Sequence, residues 1–316
     1  MSQPSARPGA TFSFELYPPR SQAAEVALFA SLEHLVDVAP EFISVTYGAN
    51  GSSRDSSLAI LRHLLGNTAV HPMAHLTCVG SSYVEASRLI REFLDAGITS
   101  FLALRGDPPA GAIGGQNFLG DLGSAGELVQ LIHRVQEERA PFSQHDIPGF
   151  PGRKRIKSGE KVTIAVAAFP NGHPRSRSVE QDLDTLLAKQ VAGANLAITQ
   201  LFFHTDEYFR FVEQARAVGV TMRILPGIMP VLSAQRLSRI LELTDQPTPV
   251  ELLGRLEAAP DAESRSRVGI DHATVLASEL LAGGASGLHL YTLNQHEAVL
   301  AVLRGVGLLS RQKEPA

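Results

Sequence analysis

The chain repeats one pattern of secondary structure almost from end to end. Eight short apolar or β-branched runs are each followed by a segment with helical periodicity. Strands that alternate with helices over most of 316 residues predict an α/β protein with a parallel sheet. Eight repeats match a single-domain (β/α)8 barrel, the TIM barrel. The alternative is a doubly wound sheet, but the glycine fingerprint that usually follows its first strand is absent.

Prolines, glycines and changes of period mark the boundaries of the repeats. Residues 11–310 form the predicted barrel, and residues 1–10 form a polar, disordered tail. The segment 139–161 breaks the pattern with three prolines, three glycines and a basic cluster, so we expect an inserted surface loop there. After the second strand, Ser52 or Ser53 is a candidate helix N-cap. The predicted strands are 12–17, 42–47, 72–79, 101–104, 162–169, 196–203, 222–228 and 287–291, and the main predicted helices are 23–38, 83–96, 124–138, 179–192, 205–218, 233–244, 262–282 and 295–306.

Composition narrows the classes of function. Hydrophobic residues make up 44% of the chain and the net charge is -4, so there is no electrostatic case for a nucleic-acid or acidic-membrane partner. The single cysteine, Cys78, excludes a disulfide framework and a thiolate zinc site. No apolar run approaches the roughly 18 residues that span a bilayer, and the N-terminus has no apolar signal core. We therefore expect a cytoplasmic protein.

Glu15 is the acidic residue of the first predicted strand. It lies on the opposite face of that strand from Phe14 and Leu16, and no basic residue follows it before Arg20. The carboxyl ends of barrel strands meet at one mouth. A carboxyl group in a mouth lined by aromatic side chains has a raised pKa and can serve as a general acid. The alternative is a structural ion pair between Glu15 and a distant arginine.

Arg105, Gly106 and Asp107 end the fourth predicted strand. The two prolines that follow prevent the strand from continuing, and Gly106 lets the backbone approach a ligand closely. The alternative is a surface turn with a local ion pair. Further polar candidates at predicted strand ends or on the adjoining helices are Thr46, His75, His173, Asp182, Lys189, Gln200 and Gln295.

Two of these candidates also have ordinary structural interpretations. A lone histidine on a strand, such as His75, is more often a buried structural residue than a ligand. Asp182 and Lys189 are two turns apart on one helix face, which is equally typical of a solvated surface.

Motifs for metal binding and for serine hydrolysis are absent. Histidines and carboxylates could be gathered in space, but the sequence has no HExxH motif and no paired histidines at ligand spacing. It also lacks the G-x-S-x-G elbow. We therefore predict no metal. The collected side chains suit an elongated organic ligand that carries a phosphate group and a ring system.

Seven short motifs, in this order and at these strand ends, resemble those of the methylenetetrahydrofolate reductases. The resemblance extends from about residue 12 to about residue 308. Any one of the motifs is weak evidence, but together they are strong. They are FSFELYPP at 12–19, SVTYGA at 44–49, HLTC at 75–78, ALRGDPP at 103–109, GAN at 193–195 with ITQLFF at 198–203, PGIMPV at 226–231 and YTLN at 291–294.

The resemblance implies an FAD-bearing barrel that takes a hydride from NAD(P)H and reduces 5,10-methylenetetrahydrofolate to 5-methyltetrahydrofolate. Glu15 matches the general acid, and Asp107 matches a carboxylate near the flavin and the pterin. Gln200 matches an amide that contacts folate and nicotinamide in turn. The family also suggests a homo-oligomer. The implied cofactor contacts are Thr46, Tyr47, Ala49, His75, Arg105, Gly106, Asp107, Ala125, Phe169, His173, Asp182 and Lys189.

Four positions depart from the family pattern. Gln295 replaces a usual arginine and Arg236 a usual glutamine, both at positions implied to bind substrate. Ser124 replaces a tyrosine near the flavin, and Ile240 replaces an aromatic residue that stacks on the nicotinamide nucleotide in some members. Two alternatives therefore stay open: a flavin-independent reductase that uses NADH directly, and a non-catalytic folate or one-carbon binding protein.

Overall fold

The computed structural model describes residues 9–46, 51–107, 118–139, 143–146, 154–157 and 162–309. Strands and helices alternate along these segments. The strands are β1 (Thr11–Leu16), β2 (Phe42–Val45), β3 (His71–Thr77), β4 (Ser100–Leu104), β5 (Ser143–Asp146), β6 (Lys154–Lys157), β7 (Thr163–Ala168), β8 (Leu196–Thr199), β9 (Arg223–Leu225), β10 (Gly227–Ile228) and β11 (Gly287–Tyr291). The helices are α1 (Gln22–Asp37), α2 (Gly51–Asn67), α3 (Tyr83–Asp95), α4 (Ala125–Arg139), α5 (Val179–Val191), α6 (Thr205–Ala217), α7 (Ala234–Thr244), α8 (Val250–Ala258), α9 (Ala262–Ala282) and α10 (Glu297–Gly305).

The parallel strands form a nearly closed barrel. Their order is β10-β11-β1-β2-β3-β4-β7-β8-β9. β9 pairs with β8, and β10 pairs with β11, so one stretch of chain interrupted by Pro226 joins the two ends of the sheet. The carbonyl of Pro226 accepts a hydrogen bond from the N–H of His289 at 2.9 Å. The predicted (β/α)8 barrel is therefore confirmed, with a seventh strand in two parts.

Alternate residues of each strand pack in two separate apolar layers. On β4, Phe101 and Ala103 belong to the large core between the strands and the helices. Leu102 belongs to a smaller core inside the barrel, and Leu104 packs against it. On β1 the same alternation places Phe14 against the helices, so Glu15 faces the barrel interior, as predicted. The interior core consists of Phe42, Met73, Leu102, Ala165, Leu196, Ile198 and Leu225.

A polar network closes the amino-terminal end of the barrel. Arg223 donates to both carboxylate oxygens of Glu41, at 2.7 and 3.0 Å, and to the hydroxyl of Ser286 at 2.9 Å. Burial alone would raise the pKa of Glu41, but the hydrogen bonds from Arg223 and Thr11 and the charge of Arg223 lower it. This end is therefore occupied by structural interactions, and the chemistry belongs to the carboxyl end.

Three features differ from the predictions. Helix α2 begins at Gly51, so Ser52 and Ser53 lie within it and are not its N-cap. Helix α8 was missed because flanking prolines and an internal glycine obscure the spacing of Leu252 and Leu256, which bury one face. The predicted inserted loop contains an antiparallel pair of strands, β5 and β6, which its polar composition concealed. The predicted tail at residues 1–8 lies outside the described residues.

None of the helices in the described segments is long and apolar enough to cross a membrane.

A substitution at Gly269 tests how closely helix α9 packs against the loop after β10 at the carboxyl end of the barrel. A Cβ at Gly269 would lie 1.9 Å from the carbonyl oxygen of Val231, in the loop after β10. Gly269→Ala should therefore lower the free energy of unfolding by about 1–3 kcal/mol. Gly254→Ala, in α8, is the matched control because nothing lies within 4 Å of its Cβ position, and it should raise stability by up to about 1 kcal/mol. Urea unfolding measures the free energy of unfolding of both variants. Equal changes in the two variants would contradict the close contact between Gly269 and the carbonyl of Val231.

Candidate active site

A half-buried carboxylate between two imidazoles lies at the carboxyl end of the barrel interior. Glu15 on β1, His75 on β3 and His289 on β11 form this acid cluster. The Oε2 atom of Glu15 is 3.6 Å from Nε2 of His75 and 3.7 Å from Nε2 of His289. Both imidazoles are almost fully buried. The alternative of an ion pair with a distant arginine is therefore wrong for the described part of the chain, because the side chains that face the Glu15 carboxylate there are histidines.

The pKa of Glu15 is lowered, which corrects the expectation that the site would raise it. Burial alone would raise the pKa. The interaction with His289, the positive charges that His75 and His289 can carry, and a hydrogen bond from Thr46 together outweigh burial. In the free protein Glu15 is therefore a carboxylate at neutral pH, and it needs a proton before it can act as an acid.

The two imidazoles leave polar atoms unsatisfied at the mouth. Among the described residues, neither Nε2 of His75 nor Nε2 of His289 has a hydrogen-bond partner. Burial lowers the pKa of His75, although the charge of Glu15 opposes the shift. Because buried polar atoms are ordinarily paired, these atoms indicate a site for polar ligand groups.

Tyr291 spans the mouth above the acid cluster. Its hydroxyl donates to the carbonyl of Thr199 at 3.0 Å. A Cβ at Gly227 would lie 2.3 Å from that same carbonyl oxygen and 2.8 Å from Cε2 of Tyr291, so only glycine fits beneath the ring. Burial and the charge of Glu15 raise the pKa of Tyr291 well above its ordinary value. Tyr291 therefore stays neutral and closes one side of the mouth.

The YTLN motif anchors the strand that carries Glu15. The hydroxyl of Thr292 donates to the carbonyl of Glu15 at 2.7 Å. The carboxamide of Asn294 pairs with the backbone of Tyr17, accepting from its N–H at 3.0 Å and donating to its carbonyl at 2.9 Å. These contacts hold the ends of β1 and β11 in register.

A second group of side chains lies where β4 and β7 end. The guanidinium groups of Arg105 and Arg175 lie 6.0 and 5.7 Å from the centre of the Phe118 ring. Arg175 also approaches the carboxylate of Asp107 at 3.5 Å. Nη2 of Arg105 is buried with no partner among the described residues. Burial, then the charge of Arg175, lowers the pKa of Arg105.

The loop after β7 and helix α5 complete this group. The carboxylate of Asp182 accepts a hydrogen bond from the N–H of His173 at 3.0 Å, and the ammonium of Lys189 donates to the carbonyl of Ala167 at 2.9 Å. Burial lowers the pKa of Lys189 to about 8, against the opposing charge of Asp182. Asp182 and Lys189 therefore face the loop together. We call Arg105, Arg175 and Lys189 the cationic cluster.

Gly106 has a structural reason to be glycine. Its φ angle is +84°, and a Cβ there would lie 2.4 Å from Cγ2 of Val79. The exposed carboxylate of Asp107 follows it.

The remaining predicted residues are spread around the mouth. Thr46 lies beside Glu15, and Phe169 lies 4.7 Å from His173, ring centre to ring centre. Gln200 directly follows β8, and its side-chain oxygen accepts a hydrogen bond from the N–H of Leu201 at 2.9 Å. Three further residues lie at the starts of helices or in the turn before one: Ala125 begins α4, Arg236 is half-buried in the first turn of α7, and Gln295 is exposed before α10. Tyr47 and Ala49 lie outside the described residues.

Sequence reasoning missed Ser13, His289 and Tyr291 as members of the site. Ser13 shares its strand face with Glu15, and His289 shares its face with Tyr291, so the two-residue period could have found them. The register of β1 and β11 pairs Ser13 with His289 and Glu15 with Tyr291.

Metal ligation finds no support in the described residues. Within those ranges, no group of three or more His, Cys, Asp or Glu side chains is placed to hold a metal ion.

The fold and the site together define a class of protein. A closed barrel with acid–base side chains inside its mouth and a cationic cluster beside them is typical of (β/α)8 barrels that bind anionic organic ligands at the carboxyl ends of their strands.

Comparison with known proteins identifies the family. The profile described as "Methylenetetrahydrofolate reductase" matches residues 2–307. The 5,10-methylenetetrahydrofolate reductase of Escherichia coli is 32% identical over 297 residues, which are 94% of this chain and 90% of that protein. The chain therefore belongs to the methylenetetrahydrofolate reductase family.

Two further comparisons show the range of the similarity. Methylenetetrahydrofolate reductase (NADH) 1 of Arabidopsis thaliana is 32% identical over 96% of this chain, which spans 49% of the plant protein. The chain thus covers about half the length of its plant relatives. A solved Clostridium thermocellum protein described as binding two copies of 5-methyl-5,6,7,8-tetrahydrofolic acid matches with a TM-score of 0.59 at 11% identity, over 95% of each chain, which is a likeness of fold alone.

The lowered pKa of Lys189 predicts an unusual dependence of stability on pH. The unfolded chain binds the Lys189 proton more tightly than the folded chain, so between about pH 8 and pH 10.5 this residue makes stability rise with pH. Lys189→Met removes the effect. Chemical denaturation at pH 7.5 and pH 10 measures this effect. Between these two pH values, the free energy of unfolding of the wild type should rise by roughly 2 kcal/mol relative to that of the variant. A difference between the two proteins that does not change with pH would contradict the burial of this charge.

Proposed function

We propose that the protein reduces 5,10-methylenetetrahydrofolate to 5-methyltetrahydrofolate with a hydride from NADH or NADPH, by way of bound FAD. Family membership supports the reaction class. The observation that carries the proposal is the half-buried carboxylate of Glu15, which lies at the mouth between His75 and His289. The proposed partners are folate, the nicotinamide dinucleotide and further copies of this chain.

The donor set beside the acid cluster suits FAD. Arg105 has a buried terminal nitrogen with no partner among the described residues, and Lys189 is a second, partly buried cation; together they match the charge of a pyrophosphate group. When bound, FAD supplies a ring system that accepts a hydride and returns it. The proposed cofactor contacts are Thr46, Tyr47, Ala49, His75, Arg105, Gly106, Asp107, Ala125, Phe169, His173, Asp182 and Lys189.

Glu15 has the central chemical role in this proposal. Its O–H bond breaks as an N–H bond forms at the folate nitrogen, which opens the five-membered ring to an iminium carbon that can accept a hydride. Asp107 hydrogen-bonds the pterin, and the amide of Gln200 can donate and accept at once. Arg236 and Gln295 are the proposed contacts of the remaining part of folate.

Ser124, which stands where the family pattern has a tyrosine, has a local structural role. Its hydroxyl accepts a hydrogen bond from the N–H of Glu127 at 3.2 Å and therefore caps α4. A serine at this position stabilises the helix but supplies no ring to a flavin. This is the observation that keeps the flavin-independent reductase as the second candidate.

An absorption spectrum of the purified protein, repeated anaerobically with NADH, tests the proposed function. We expect flavin bands that bleach with NADH and return when methylenetetrahydrofolate is added. A colourless protein that still forms 5-methyltetrahydrofolate from NADH would establish the flavin-independent reaction. Folate binding without any formation of 5-methyltetrahydrofolate would show that the protein is a non-catalytic binding protein.

Glu15→Gln tests the proposed acid. Flavin reduction by NAD(P)H should stay within about twofold of the wild type, whereas folate reduction should fall by roughly 10²–10⁴-fold because only that step needs the acid. Stopped-flow measurement of the two half-reactions separates them. Glu257→Gln, on the exposed face of α8, is the control and should change neither. Equal losses of rate in both half-reactions would contradict the role of Glu15 as the acid in folate reduction.

A further inference from the structure

The side chain of Asn171 joins three loops at the carboxyl end of the barrel. Asn171 lies in the loop after β7, and its Nδ2 atom donates to Oε1 of Glu207 at 3.0 Å and to Oε1 of Gln246 at 2.8 Å. Glu207 is in the first turn of α6, and Gln246 lies between α7 and α8. Both are buried. Buried polar groups are ordinarily paired, and one carboxamide supplies the two donors that these two acceptors need.

Glu207 also holds the loop that follows β8. Its second oxygen, Oε2, accepts hydrogen bonds from the N–H of Phe203 at 3.0 Å and from the N–H of His204 at 2.9 Å. These two residues lie shortly after Gln200, the proposed contact of folate and nicotinamide. The bond between Asn171 and Glu207 therefore connects the segment that carries Gln200 with the loop after β7.

Asn171 lies midway between two proposed cofactor contacts. Phe169 is two residues before it and His173 two residues after it, with their rings nearly perpendicular and their centres 4.7 Å apart. The N–H of Gly172 donates to the carbonyl of Phe169 at 3.1 Å and closes a turn. Asp182 of α5 accepts from the N–H of His173 at 3.0 Å. The loop is therefore held by α5 on one side and, through Asn171, by α6 and the α7–α8 connection on the other.

We propose that Asn171 is a positioning residue for hydride transfer, which fixes the loop after β7, with its cofactor contacts, relative to the segment after β8, with Gln200. The backbones of these segments are joined as far as Gln200, whose N–H donates to the carbonyl of Ala168 at 2.7 Å. Beyond that bond, Asn171 connects the two loops through Glu207. Hydride transfer needs its two reacting atoms about 3–3.5 Å apart, so loss of the connection costs rate more than binding. The inference rests on the proposed function.

An exchange of donor and acceptor tests this connection without added cofactor or folate. Asn171→Asp places acceptors against the acceptors of Glu207 and Gln246 and should break both bonds. Asn171→Asp combined with Glu207→Gln restores a donor–acceptor pair at the same net charge. In protein labelled with ¹³C in its histidine rings, the His173 signal is identified by its loss in His173→Gln. At about pH 9, where an ordinary imidazole is neutral, this signal should shift in Asn171→Asp and return towards the wild-type position in the double variant.

Steady-state kinetics give the second readout. Asn171→Asp should lower kcat for folate reduction by roughly 10–100-fold, with the KM values for NADH and methylenetetrahydrofolate within about threefold of the wild type. The double variant should recover most of the lost kcat. Gln246→Met removes one acceptor and keeps the bond to Glu207, so it should cause a smaller loss, and it serves if Asn171→Asp does not fold. Asn67→Asp, at the exposed end of α2, is the matched control and should change neither readout.

Urea unfolding separates positioning from stability. A purely structural role would lower the unfolding midpoint of Asn171→Asp but leave kcat and the His173 signal of the folded protein as in the wild type, and this result would overturn the inference. A double variant that recovers neither kcat nor the His173 signal would also overturn it. A wild type that reduces no folate would instead refute the proposed function, and the His173 signals would still decide whether Asn171 positions the loop after β7.

Discussion

Closure of the barrel through one interrupted strand is the constraint on which the rest of the structure depends. β9 bonds to β8 and β10 bonds to β11, and Pro226 between them lacks the N–H that would continue a regular ladder. Closure removes the exposed sheet edges and gives every strand an inside and an outside. Since side chains alternate across a strand, the inward residues of β1 and β11 are forced into one small space. The acid cluster is the direct result.

The interior divides into zones of different polarity along the barrel axis. Arg223 and Glu41 close the amino-terminal end, and an apolar core that includes Phe42 and Leu225 fills the middle. The charged and polar side chains around Glu15 lie at the carboxyl end. A buried carboxylate is costly unless opposite charge or hydrogen bonds compensate for lost water. Two imidazoles provide that compensation, so the mouth can keep an ionisable acid inside an otherwise apolar barrel.

Local patterns predicted most of the fold and only part of the site. Alternation on β1 correctly oriented Glu15, and the spacing of Asp182 and Lys189 correctly placed them on one helix face. The same reasoning failed for α8, where prolines and a glycine interrupt the helical pattern, and for the start of α2. It also assigned the wrong direction to the pKa of Glu15. That error arose because the residues that lower the pKa are distant in sequence: 276 residues separate Ser13 from its partner His289.

The sequence by itself determined the (β/α)8 repeat, the strand faces and, through short motifs at strand ends, the resemblance to the methylenetetrahydrofolate reductases. These properties depend on residue period and on order along the chain, both of which are local. Only the tertiary structure decided which side chains surround Glu15, that Arg105 has a nitrogen without a partner in the described part of the chain, and that β9 and β10 close the barrel from both sides. Electrostatic and hydrogen-bonding energies depend on distances in space, and for strands at opposite ends of a chain those distances exist only once the barrel has closed.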